Sequence, residues 1–143
     1  MRIIMNDKIL RKSISELEGW KCKIPVEGDD SYVVRNYYRL HNVPIKNYNL
    51  ADLRFMIGQN AGLEYLVPIA LEKLKEDIFL EAEFFEGDLL KGLFRIEDIS
   101  NYWASHNKEK QELIELYENQ KYKLQELNRK REIENAYAKF LEK

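Results

Sequence analysis

Apolar residues recur at helical spacing along most of this chain, most densely between Asn49 and Leu71. Leu50, Leu53, Met56 and Ile57 form one stripe. Asn49 precedes it as an N-cap, a residue whose side-chain oxygen can accept from a backbone N–H of the first turn. Gly58 or Asn60 ends this helix, since both tolerate the left-handed backbone that a C-cap needs. A second helix is expected from about Ala61 or Gly62, with Leu63, Leu66, Val67, Ala70, Leu71 and Leu74 on its buried face. Pro68 is awkward there: it lacks an N–H and clashes one turn back, so it fits best in a first turn or at a kink. Both helices read as core rather than as carriers of an activity.

The flanking pattern is more varied. Ile3–Met5 fits either a short strand or the lead-in to a helix. Ser13 and Glu16 have capping-box spacing, which predicts a short helix over residues 14–18 that Gly19 stops. Residues 20–30 read as loop, punctuated by Pro25 and Gly28. Tyr32 to Leu40 begin a helix ending near His41 or Asn42, although their β-branched and aromatic content suits a strand equally. Residues 76–86 fit either an extended connection or a short strand. Gly87 and Asp88 restart a helix whose Leu89, Leu90, Leu93 and Phe94 suit burial.

From about Ser105 to Phe140 the chain has no Gly or Pro. Leu113, Leu116, Tyr117, Leu124 and Leu127 make one stripe; Ile133, Tyr137, Phe140 and Leu141 continue it with a shift in phase. One long helix is expected, or two in series with a bend near Asn128, supported on the outside by i,i+4 pairs such as Glu126 with Lys130. Such a helix is free to protrude, or to pair with a second copy as a homodimer. The fold class is mainly α: a compact helical domain with a long charged C-terminal helix.

Composition narrows the setting. A length of 143 residues suits one domain, 1–143, with a real core. No apolar run approaches the roughly 20 residues that cross a bilayer, and MRIIMNDKILRK is too interrupted by charge for a signal peptide. The expectation is a cytoplasmic protein with no membrane partner. The single Cys22 cannot form an internal disulfide, which fits a reducing compartment, and it reads as a structural thiol. Net charge is −2, but unevenly spread. Residues 31–75 hold six Lys or Arg against three acids, whereas residues 76–98 hold eight acids against Lys91 and Arg95. That acidic block is either a solvated face or a surface that meets a basic partner.

Catalytic signatures are absent from the sequence. There are two histidines, His41 and His106, both read as surface or helix-end residues, and no HExxH, CxxC, GxSxG or Walker loop. Glu27 with Asp29 and Asp30 lacks the spacing of a calcium loop. No enzyme activity, cofactor or metal is expected. A small nucleic-acid-binding or regulatory protein is the alternative. Arg35, Arg39, Lys46 and Arg54 lie among Tyr32, Tyr37, Tyr38 and Tyr48, and Arg129–Arg131 is a basic run. Against it, the pI of about 5.8 is far from the usual basic footprint, and GLEYLVPIAL would offer a groove mostly apolar side chains. A protein-binding module is favoured. Its nine Tyr and two Trp supply interface anchors, with Trp20, Tyr102 and Trp103 near element ends, although Trp103 also suits a place at the edge of the core.

One segment carries a resemblance. Leu53 to Glu72, LRFMIGQNAGLEYLVPIALE, is similar to the LR-x-MIGQN-x-GL-x-YL-x-P-x-ALE core of the immunity proteins of bacterial contact-dependent growth inhibition (CDI) systems. Upstream, Arg39–Leu40 and Pro44–Ile45 resemble the family's short helix and linker. Downstream, Phe84 or Phe85, Gly87–Asp88–Leu89–Leu90 and Trp103 resemble its F-x-GDLL stretch and later aromatic. The resemblance covers about residues 13–105, leaving 106–143 as a C-terminal helical extension. It implies a helical antidote that binds, one to one, the cognate C-terminal toxin domain of a large exported adhesin, with no direct nucleic-acid contact. Many such toxins are nucleases, basic around the cleft that attracts phosphate. The toxin-binding residues are then expected among Glu81, Glu83, Glu86, Asp88, Glu97 and Asp98, with Asp29 and Asp30 as a second group. Gln59 and Asn60 are expected to cap helix ends rather than touch the partner.

Overall fold

The computed structural model describes residues 7–19 and 31–143. Ile3–Met5, Trp20, Cys22, Asp29, Asp30 and the loop expected over 20–30 lie outside the described residues. The described chain is helical throughout. Its helices are α1 (Asp7–Leu10), α2 (Ile14–Glu18), α3 (Tyr32–His41), α4 (Leu50–Gly58), α5 (Leu63–Glu76), α6 (Asp88–Phe94), α7 (Tyr102–Ser105), α8 (Asn107–Gln120) and α9 (Lys130–Phe140), joined in part by short 3-10 turns.

The first helices form where local chemistry directs them. Ser13 and Glu16 close the capping box that starts α2, and Gly19 ends it at φ 72°. Asn49 caps α4 in the same way: its side chain accepts from the Asp52 N–H (2.8 Å), and the Asp52 carboxylate accepts from the Asn49 N–H (3.0 Å). A cap of this kind is worth about 1 kcal/mol. Arg39 ties α3 to the cap, donating to Asp52 at 3.3 Å and to the buried Asn36 at 2.7 Å. The Tyr48 hydroxyl donates to the Leu40 carbonyl (2.6 Å), and burial, aided by the nearby Asp52, pushes that phenol well above its ordinary value. Residues 32–41 are therefore helix, not strand, because Ser31 caps them and Leu40 and His41 find a buried face.

The Asn49–Leu71 segment is core, as its pattern predicts. Leu53, Met56, Ile57, Leu66, Val67, Ala70 and Leu71 are all buried. Asn60 takes a left-handed conformation (φ 56°) after α4, and its side chain accepts from the Glu97 N–H (3.1 Å), fastening this corner to the chain after α6. Gly62, also left-handed, opens α5 against the Ile14 side chain. Pro68 lies inside α5, past its first turn, and is buried.

Residues 106–143 form two helices in series, the second of the two expected arrangements, but the break begins before Asn128 and reverses the chain instead of bending it. Helix α8 stops at Gln120, a 3-10 turn spans Lys121–Glu126, and α9 runs back antiparallel. The Tyr117 and Tyr137 rings meet at a 40° tilt with centroids 4.2 Å apart, and Lys110 donates to the Lys143 carbonyl at 3.0 Å. The Glu126–Lys130 pair is split by the turn, and Lys130 donates to Gln125 instead. The reason is apolar: the reversal lets Ile133, Ala136 and Phe140 be buried on the α9 side that packs on α6, and Leu124 of the turn is buried as well. The helix folds back and does not protrude, and of its apolar stripe Leu113, Tyr117, Leu124, Ile133 and Phe140 are buried within the same chain, whereas Leu141 stays exposed. Phe94 sits at the centre, within 5.0–5.4 Å of the Phe140, Tyr137 and Tyr117 rings, and Trp103 meets Phe140 edge-on at 5.1 Å. Trp103 is buried and donates its indole N–H to the Leu93 carbonyl (3.0 Å).

The approach of α9 to α6 depends on Gly87. Its φ is 91°, and a Cβ there would lie 2.5 Å from Ile133 Cδ1. Gly87→Ala should destabilise the protein by about 3 kcal/mol, from left-handed strain plus overpacking. Removing Cδ1 with Ile133→Val should relieve part of that loss, so denaturant unfolding of the double variant should give less than the sum of the single effects.

Candidate functional site

The acidic block folds into a loop over the N-terminus of α6. Glu81 and Glu86 pair backbone to backbone across it as an isolated antiparallel bridge. Asp88, the first residue of α6, holds the interior: one carboxylate oxygen accepts from the Ala82 N–H (2.7 Å), the other from those of Glu83 (3.0 Å) and Phe84 (2.9 Å). Asp88 is buried, so it is the loop's internal anchor and does not present its carboxylate to a partner. What the loop shows to solvent is Glu81, Glu83, Phe84 and Glu86.

Cations from distant segments flank this loop. Arg54 of α4 binds Glu83 at 2.9 Å and lies over the Phe84 ring at 4.7 Å. Lys91 and Arg129 lie over Phe85, at 5.6 and 5.0 Å, and both bind Glu132. Hydrogen bonds from Arg129 and then Lys91 draw the Glu132 carboxyl down to about 2 from its ordinary 4.5. Glu81 and Glu86 are exposed and make no ion pair among the described residues. Within the loop the unpaired charge therefore lies at Glu81 and Glu86; Glu76, Asp77 and Glu97, elsewhere in the block, are likewise exposed without an ion pair among the described residues.

Glu97 and Asp98 belong to the segment after α6 and not to the loop. Glu97 is exposed and belongs to the corner after α4, where Asn60 holds its backbone. Asp98 starts the 3-10 turn that follows. Asp29 and Asp30 lie outside the described residues. Sequence reasoning missed Phe84 as an exposed member of the site, and Arg54, Lys91 and Arg129 as its flanks. No local signal places Arg54 or Arg129 there, because contacts across 29 or more positions along the chain are set by packing.

Four of the basic and aromatic residues that suggested nucleic-acid binding are occupied within the fold. Arg39 and Arg54 are ion-paired, Tyr48 bonds Leu40, and Arg129 pairs with Glu132. His41 ends α3 as expected but is buried rather than on the surface, its Nδ1 at 2.8 Å from the Tyr37 carbonyl. His106 bridges Glu64 and Tyr102 at 2.7 and 2.8 Å. An open groove of about 740 Å³ between α6 and α9 is lined by Lys91, Arg95, Glu132 and Lys139, among others. Lys143 shares its edge, donating to the Phe94 and Ile96 carbonyls. Among the described residues there is no group of three His, Cys, Asp or Glu side chains able to hold a metal ion, and no helix is long and apolar enough to cross a membrane.

A family model described as CDI immunity proteins matches residues 9–113. No curated protein and no solved structure matches the chain. The match spans well over half of the sequence, including α4, α5, α6 and the loop anchored by Asp88. The chain belongs to the CDI immunity protein family. Its role is accordingly that of an immunity protein.

Two outcomes follow from this geometry. Asp88→Asn keeps the shape but turns an N–H toward at least one of the three backbone N–H groups; it should cost about 2 kcal/mol in unfolding free energy and speed amide exchange at Ala82, Glu83 and Phe84. Glu132 contributes to the pH dependence of stability. Its carboxyl is depressed in the folded state, so its contribution is complete above about 4.5 and lost as pH falls toward about 2. The acid limb of a pH–stability curve should flatten over that window in Glu132→Gln.

Proposed function

We propose that this immunity protein acts as one domain, residues 1–143, in the cytoplasm. It binds the C-terminal toxin domain of its cognate CDI adhesin one to one and without catalysis of its own. The face is the Glu81–Glu86 loop, and the toxin is a nuclease whose cleft is basic because it must attract phosphate. The observation that carries this reading is the exposed pair Glu81 and Glu86, on a loop that Asp88 fixes from within. A loop already held in its bound shape loses little freedom on association, and its charge speeds encounter with a cationic partner. Glu83 adds to the face from within its pair with Arg54. Glu97 and Asp98 are further candidates for the same partner, and Asp29 and Asp30 are a second possibility.

The test is kinetic, with the cognate toxin domain as the partner. Glu81→Lys combined with Glu86→Lys should slow association about tenfold at low salt. Wild-type association should itself slow as salt screens the charge. Unchanged association by the double variant, with Glu97→Lys causing the loss instead, would move the face to Glu97.

A further inference from the structure

We infer that Phe84 is the anchor of this surface: an aromatic side chain that enters an apolar recess in a basic protein partner while Glu81 and Glu86 meet cations around the rim. The inference rests on the reading of the Glu81–Glu86 loop as the toxin face, and it adds where the grip, as distinct from the attraction, comes from. Phe84 is 66% exposed, although a Phe side chain gains more from burial than any other residue of the loop tip except Phe85. Nothing in its local backbone is loose. Its N–H is held by Asp88 at 2.9 Å, and its ring lies 4.7 Å from the Arg54 guanidinium, which Glu83 holds at 2.9 Å. The ring is therefore presented by three elements that do not depend on a partner: the first turn of α6, the loop backbone and α4.

This is the arrangement that suits an interface anchor. Such residues are aromatic, have few rotamers to lose, and sit amid groups that exclude water from around them. The ring of acids names the chemistry of the partner. Glu81 and Glu86 without ion pairs disfavour a phosphate backbone and favour Lys or Arg, so the occupant is a basic protein surface with an apolar recess. Other large apolar side chains are equally exposed, Tyr122 at 70% among them, but Tyr122 lies on the 3-10 turn after α8, with no acidic loop and no buried carboxylate fixing its backbone. It serves as the matched control.

The experiment is surface-immobilised binding kinetics of the full chain against the cognate toxin domain, with far-UV circular dichroism checking that each variant is folded. Phe84→Ala should raise the dissociation rate at least tenfold while leaving association within about threefold, the behaviour of a short-range contact. Phe84→Leu should fall between the two, and Tyr122→Ala should match wild type. The charge-reversed Glu81/Glu86 variant should show the opposite split, with slower association. If that variant is impaired and Phe84→Ala is not, the anchor assignment is overturned while the acidic face stands. If neither changes binding, both fall. If Phe84→Ala and Tyr122→Ala are equally impaired, the effect is not local to the loop and the anchor is again overturned. Wild type that binds RNA of random sequence but not the toxin domain overturns both readings.

Discussion

The packing of α9 onto α6 is the constraint on which the rest of the molecule depends. It is permitted by the absence of a side chain at Gly87, where Ile133 comes close, and driven by the burial of Ile133, Ala136 and Phe140. Around Phe94 it assembles aromatic rings from α7, α8 and α9 into one cluster. The same approach brings Arg129 and Glu132 beside Lys91 and Phe85, so the edge of the acidic loop is shaped by residues some 40 positions further along the chain. Residues 106–143 are in this sense part of the core, even though the family match ends at residue 113.

Most of the helical framework was legible because its signals are local. Ser13 with Glu16, Asn49 before an apolar stripe, and Gly87–Asp88 before LLKGLF each mark a helix start within a few residues, and each does so in the structure. The C-terminal reversal was not legible. The shift in apolar phase after Leu127 records it, but no Gly or Pro marks the turn, and Lys121–Glu126 read as helix because their residues favour one. The turn exists because of what Phe140 and Ile133 bury, and that is a fact about α6, far away in sequence.

The candidate site shows the same division. Counting charge along residues 76–98 located the acidic loop, yet it could not distinguish Asp88 from its neighbours. An acid in the first turn of a helix, directly after a left-handed glycine, is well placed to accept backbone N–H groups, and that was the one available hint that Asp88 faces inward. Nor could the count include Arg54 and Arg129, which reach the loop only through the fold. The exposed Phe84 was hidden by its likeness to Phe85: in sequence the two are adjacent and identical, whereas in space Phe84 is exposed beside Arg54 and Phe85 is partly covered by Lys91 and Arg129.

Asp88 recognises the loop entirely through main-chain N–H groups, and this has an evolutionary consequence. None of its three hydrogen bonds depends on what the side chains at 82, 83 or 84 are. Any residue but proline at those three positions can supply the same donor. The scaffold is therefore insulated from changes at the loop tip, and a lineage can exchange the side chains there one at a time without first rebuilding the fold that displays them.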